Sequence, residues 1–198
     1  MKLPKYKLKI NPDSGEVVNA VAMVESPAIE SNFLAFSNEK EKLCFSDDKM
    51  ELLGAALIPN KEIYRRRKDG FEYLVEFETN EVRFIAQTFF EKGFHHNINL
   101  DHTATNAKSY IFQSFIVDSK MGIQSPKGID APDGSWIIGV KVNDDEIWND
   151  IKLGKQKGFS IEGIFEYFDS HVNRVDDNIE LEILELINNI SLLLYNKK

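Results

Sequence analysis

A chain of 198 residues with 42% hydrophobic residues and no apolar run long enough to cross a bilayer reads as one soluble domain, residues 1–198, with a single core and no membrane partner. Its net charge of −8 speaks against a nucleic-acid partner: phosphate binding needs clustered Lys and Arg, and the one compact basic run, Arg65-Arg66-Arg67-Lys68, reads as a solvated turn. The single cysteine, Cys44, excludes an internal disulfide and a cysteine-based zinc site, and Met1 to Lys5 lacks the apolar stretch of a signal peptide, so a reducing cytoplasm is the expected setting.

In chain order, Tyr6 to Ile10 and Val17 to Val24 read as two strands of a hairpin joined by the turn Asn11-Pro12-Asp13-Ser14-Gly15, because Pro and Gly punctuate two β-prone runs. Residues 37–49 are mostly charged and polar and are expected to form a mobile loop. Met50 to Pro59 is an apolar run. Phe71, Tyr73, Val75 and Phe77 alternate as a strand does, with Lys68-Asp69-Gly70 as the turn between the two.

Asn80 is a candidate cap for a helix whose Val82, Ile85, Ala86 and Phe89 share one face and which Gly93 stops. Tyr110 to Val117, apolar on both faces, is expected to be a central strand, and Ser135 to Val142 is a second core strand. Asn143 is the expected cap of another helix, with Asp144, Asp145 and Glu146 in its first turn and Ile147, Trp148 and Ile151 on one face. Phe159 to Phe168 is extended again, and Ile179 to Tyr195 is apolar with mixed periodicity that leaves its type open. The sum is a mainly β domain with flanking helices, an α+β chain expected to close, or nearly close, into a barrel.

The stretch that suggests chemistry is Gly158-Phe159-Ser160-Ile161-Glu162-Gly163. Glycines on both sides let another backbone approach closely, a setting that suits Ser160 as a nucleophile. A serine needs a base, and usually a third group to orient that base. Of His95, His96, His102 and His171, His102 is the best candidate, because it follows the short strand-like segment Ile98 to Leu100 and would stand at a strand end. His95, His96, Asp101 and His102 also raise a metal-dependent hydrolase, but adjacent histidines on a strand rarely point the same way, which makes it the weaker reading.

Five blocks, Val18 to Phe36, Leu53 to Arg65, the histidine after a short strand, Gly134 to Val142 and Gly158 to Gly163, resemble in order the phage prohead (capsid maturation) serine proteases of defective-prophage type. The resemblance implies a fold similar to the herpesvirus assemblins and a serine endopeptidase without cofactor or metal. It would cut scaffold and capsid-protein segments, and in some cases itself, within the assembling prohead in the bacterial host cytoplasm. The implied partners are the major capsid protein and the scaffold protein, with self-association as a further expectation. The family's serine and histidine match Ser160 and His102, and its oxyanion donors would be backbone amides near Gly158 to Ser160 or from a neighbouring loop.

For the third member the resemblance points to the segment Asn188 to Leu193, which offers Asn189, where the family pattern leads one to expect an acidic residue or a second histidine. Glu162 is the alternative. It shares a strand face with Ser160 but stands only two positions away, which places it close for reaching the far nitrogen of His102. A non-catalytic capsid or scaffold-associated protein that keeps the protease fold is the second functional reading.

Overall fold

The computed structural model describes residues 3–28, 49–67 and 69–169. Among these residues ten strands fall into three sheets. The first holds β10 (Glu166–Asp169), β1 (Lys5–Lys9), β5 (Glu72–Glu76) and β4 (Ile63–Arg66), in that order. The second holds β6 (Ile98–Leu100), β2 (Val18–Val24) and β9 (Gly158–Gly163), and the third β3 (Glu51–Leu57), β8 (Trp136–Val142) and β7 (Ser109–Ile116). Helices α1 (Thr79–Glu91) and α2 (Asp145–Lys152) pack on them.

The expected closed barrel is not formed. Among the described residues the three sheets stay open, and where β3 meets β9 the two strands are in contact without a backbone ladder between them. The expected hairpin is corrected as well. β1 and β2 are joined by the turn at Asn11, whose carbonyl accepts from Ser14 and Glu16 at 3.1 Å, yet past the single bridge Asn11 to Glu16 they part into different sheets. β1 pairs antiparallel with β10 and parallel with β5, while β2 pairs antiparallel with β9 and parallel with β6. The runs β1–β2 and β9–β10 therefore turn the same corner side by side.

Gly163 marks that corner. A Cβ there would stand 2.4 Å from the Val17 carbonyl oxygen and 2.9 Å from Val18 Cα, so only glycine admits the approach of the neighbouring backbone.

Other expectations shift by a strand or a cap. The basic run is no simple turn: Arg65 and Arg66 lie in β4, which pairs with β5, and the turn Arg67 to Gly70 joins these two strands. β7 is an edge strand with Phe112 exposed, and β8 is the central one, buried at every residue but Lys141. α1 begins at Thr79 after Glu78, so Asn80 lies inside its first turn. α2 is capped by Asp144, not Asn143, because Asp144 Oδ1 accepts from the Glu146 and Ile147 amides at 3.0 Å. A carboxylate one position later satisfies the free amides and meets the positive helix end as well.

The core sits between α1 and the sheets. Val82, Ile85, Ala86 and Phe89 are buried on one stripe of α1, and Phe89 meets Trp136 of β8 edge to face at 5.5 Å between ring centroids. The segment Ile179 to Tyr195 and nearly all of the 37–49 loop lie outside the described residues.

Candidate active site

β2 is the spine of the site. Its register sets Asn99 of β6, Ala22 of β2 and Ser160 of β9 in one row, with Ala20 opposite Glu162. Residues matched across a sheet share a face, and so do residues two apart on a strand. Ser160, Glu162, Asn99, Ala20 and Ala22 therefore present their side chains on one face. Because β2 contributes only alanines there, long side chains from β6 and β9 can meet over it.

They do meet. Glu162 Oε1 lies 2.7 Å from Asn99 Nδ2 and 2.8 Å from His102 Nδ1. An ionised carboxylate only accepts hydrogen bonds, so Nδ1 is the protonated ring nitrogen and, in the neutral imidazole, Nε2 keeps the basic lone pair. Ser160 is two residues from Glu162 on the same face, about 7 Å along the strand. Among the described residues no hydrogen bond joins Ser160 to His102. Nucleophile and base are often loosely paired before substrate arrives. The histidine side chain is 44% exposed and that of Glu162 31%, whereas Ser160 keeps 6% of its surface.

His102 reaches the face because the chain turns back at once after β6. The Asp101 amide extends the ladder by one bond to Met23 O at 3.0 Å, and Asp101 Oδ1 accepts from the Glu25 amide at 3.2 Å. Asp101 and His102 then take φ of 49° and 56°. Thr103 closes the turn, its amide and hydroxyl both donating to Leu100 O, at 3.0 and 2.7 Å.

The ladder also narrows the source of an oxyanion hole. Val21 N donates to Asn97 O and Asp101 N to Met23 O, so alternate residues of β2 from Val21 face β6, and Ala20 and Ala22 face β9. Ala22 and Ser160 thus exchange backbone bonds as an antiparallel pair. The Ser160 amide is therefore used in the sheet and is not free to serve as an oxyanion donor.

The remaining candidates lie elsewhere. His95 stacks on Phe90, with 6.0 Å between ring centroids, and His96 tilts against His95 and Tyr110. Among the described residues no group of three or more His, Cys, Asp or Glu side chains is placed to hold a metal. Asn189 and His171 lie outside the described residues. Asn99 is the site residue that sequence reasoning missed. Its signal was a polar residue set between Ile98 and Leu100 in a strand that ends in a candidate base.

A serine, an imidazole and a carboxylate gathered on one sheet face are the parts from which serine hydrolases build a nucleophile. Residues 58–169, more than half of the chain, match the family described as "Putative phage serine protease XkdF", and the chain belongs to that family. The match includes Asn99, His102, Ser160 and Glu162 and stops short of Asn189. No curated protein and no solved structure matches the chain.

Proposed function

We propose that the protein is a serine endopeptidase of capsid maturation, which cuts scaffold and capsid-protein segments inside the assembling prohead in the bacterial host. Ser160 is the nucleophile, His102 the general base and Glu162 the residue that orients it. The observation that carries this reading is the 2.8 Å contact between His102 Nδ1 and Glu162 Oε1, on the face where Ser160 stands.

In the reaction, His102 Nε2 takes the Ser160 hydroxyl proton as Oγ attacks the peptide carbonyl. His102 then returns the proton to the departing amine, which leaves an acyl-enzyme that water hydrolyses by the same proton route. Glu162 fixes the tautomer and stabilises the imidazolium that forms in both halves.

The test is co-expression with the cognate capsid and scaffold proteins, followed by mass measurement of the products. Ser160→Ala and His102→Ala should fold and should each abolish processing, because residues that act as one unit lose nearly everything when either goes. Processing at the normal rate in Ser160→Ala overturns the assignment. A folded wild-type protein that cleaves neither partner and is not labelled by a serine-directed fluorophosphonate favours the non-catalytic reading.

A further inference from the structure

We propose that Asn99 is a positioning residue of this site, holding Glu162 in the one orientation from which it can hold His102. The inference rests on the serine-protease reading and names a part that the reading does not require. Glu162 Oε1 is a shared acceptor, with Asn99 Nδ2 at 2.7 Å and His102 Nδ1 at 2.8 Å. His102 sits on a turn and is 44% exposed at its side chain, so little else restrains its ring. A glutamate has three rotatable side-chain bonds, and one contact to a mobile imidazole does not fix it. Asn99, on the three-residue strand β6 paired to β2, supplies a second contact from a rigid element.

The second observation is a defect on the other side of the same amide. Since the carboxylate accepts only, the Asn99 NH2 must face Glu162. Its Oδ1 is then buried with no hydrogen-bond partner among the described residues. A buried acceptor without a partner destabilises the fold, and a leucine of similar size would fill the position without that defect. At Asn99 stability and the proposed function therefore pull in opposite directions, which a residue kept only for packing would not show.

The experiment compares wild type, Asn99→Leu and Asn99→Asp, with Ser160→Ala as the inactive control. The substrate is a peptide spanning a cleavage site found by mass measurement, and kcat, KM and Tm are read for each. Asn99→Leu should keep or raise Tm while kcat falls about ten- to a hundredfold, the range for residues that orient a functional ligand, with KM little changed. Asn99→Asp, which sets a carboxylate against Glu162, should lose at least as much. Wild-type kcat in either folded variant overturns the proposal, and Asn99→Asp decides alone if Asn99→Leu does not fold. A readout independent of turnover is the far-downfield Nδ1 proton of His102 in the NMR spectrum, assigned with His102→Gln. It should broaden or vanish in the Asn99 variants, and an unchanged resonance overturns the proposal even if the wild type cleaves nothing, a result that by itself would count against the protease reading.

Discussion

Asp101 and His102 hold a left-handed backbone conformation in succession, which L residues adopt at a cost of about 1–3 kcal/mol each and which Asp and His tolerate better than most. The bonds from Asp101 to Met23 and Glu25, and from Thr103 to Leu100, offset that cost. They swing the imidazole back over β2 toward Glu162. Glu162 therefore reaches Nδ1 although it is only two residues from Ser160, because the ring comes to it across the sheet. Glu162→Gln should leave Tm nearly unchanged and lower turnover by roughly a hundredfold or more, since an amide fixes the tautomer poorly and stabilises an imidazolium less than a carboxylate does. Turnover close to wild type in Glu162→Gln, with a large loss in Asn189→Ala, would transfer the role to Asn189.

At the scale of elements, the serine strand owes its place to the corner at Gly163. Ile164 N donates to Val17 O at 3.1 Å, so β9 stays tied to the start of β2 as the chain leaves for β10. Gly163→Ala would force a methyl group against backbone atoms that cannot rotate away, and it should destabilise the fold by about 1–3 kcal/mol, as overpacking does. Denaturant unfolding measures this as a lower midpoint at constant slope; an unchanged midpoint would mean that the corner can open freely. Helix α2, which precedes β9, starts at a carboxylate held by charge. Lys108 Nζ binds Asp144 Oδ2 at 2.6 Å, and this bond, with the Ile147 amide, holds the Asp144 carboxyl below its usual range. The capping contribution is thus present at neutral pH. It is lost as acid titrates the folded carboxyl, below the ordinary aspartate range.

Across the whole molecule, α1 is the link between the sheets' packing and the site. Phe89, fully buried, touches Phe90, Phe94 and Trp136, and the chain runs on from Phe94 through Asn97 into β6. Phe89→Ala should cost about 3–5 kcal/mol, the range for deleting a buried aromatic ring, seen as a large drop in Tm. A loss below about 1 kcal/mol would show that the core closes over the gap. Beside β9 lies a cavity of about 180 Å³ whose walls include Phe159, Ser160, Ile161, Leu57, Phe77 and Arg65. Burial lowers the Arg65 guanidinium below its usual value, so this arginine, read from sequence as part of a solvated turn, is half withdrawn from water.

The amino-acid sequence by itself determined the local elements. A period-two run marks β5, a continuous apolar run marks β8, the stripe Val82, Ile85, Ala86 and Phe89 marks α1, and the glycine-flanked Ser160 and the strand-end His102 mark the candidate site, because these depend on contacts between residues close along the chain. Tertiary structure alone decided which strands pair. Tyr6 to Ile10 and Val17 to Val24 look like a hairpin locally, yet β10, β5, β9 and β6 compete for their edges from 60 or more residues away, and those pairings win. That Glu162, the alternative third member in the sequence, stands beside His102 was decided in the same way. The reach of Glu162 and Asn99 toward one another depends on β2 lying between them with alanines on that face, and no spacing within β6 or β9 encodes a third strand's register.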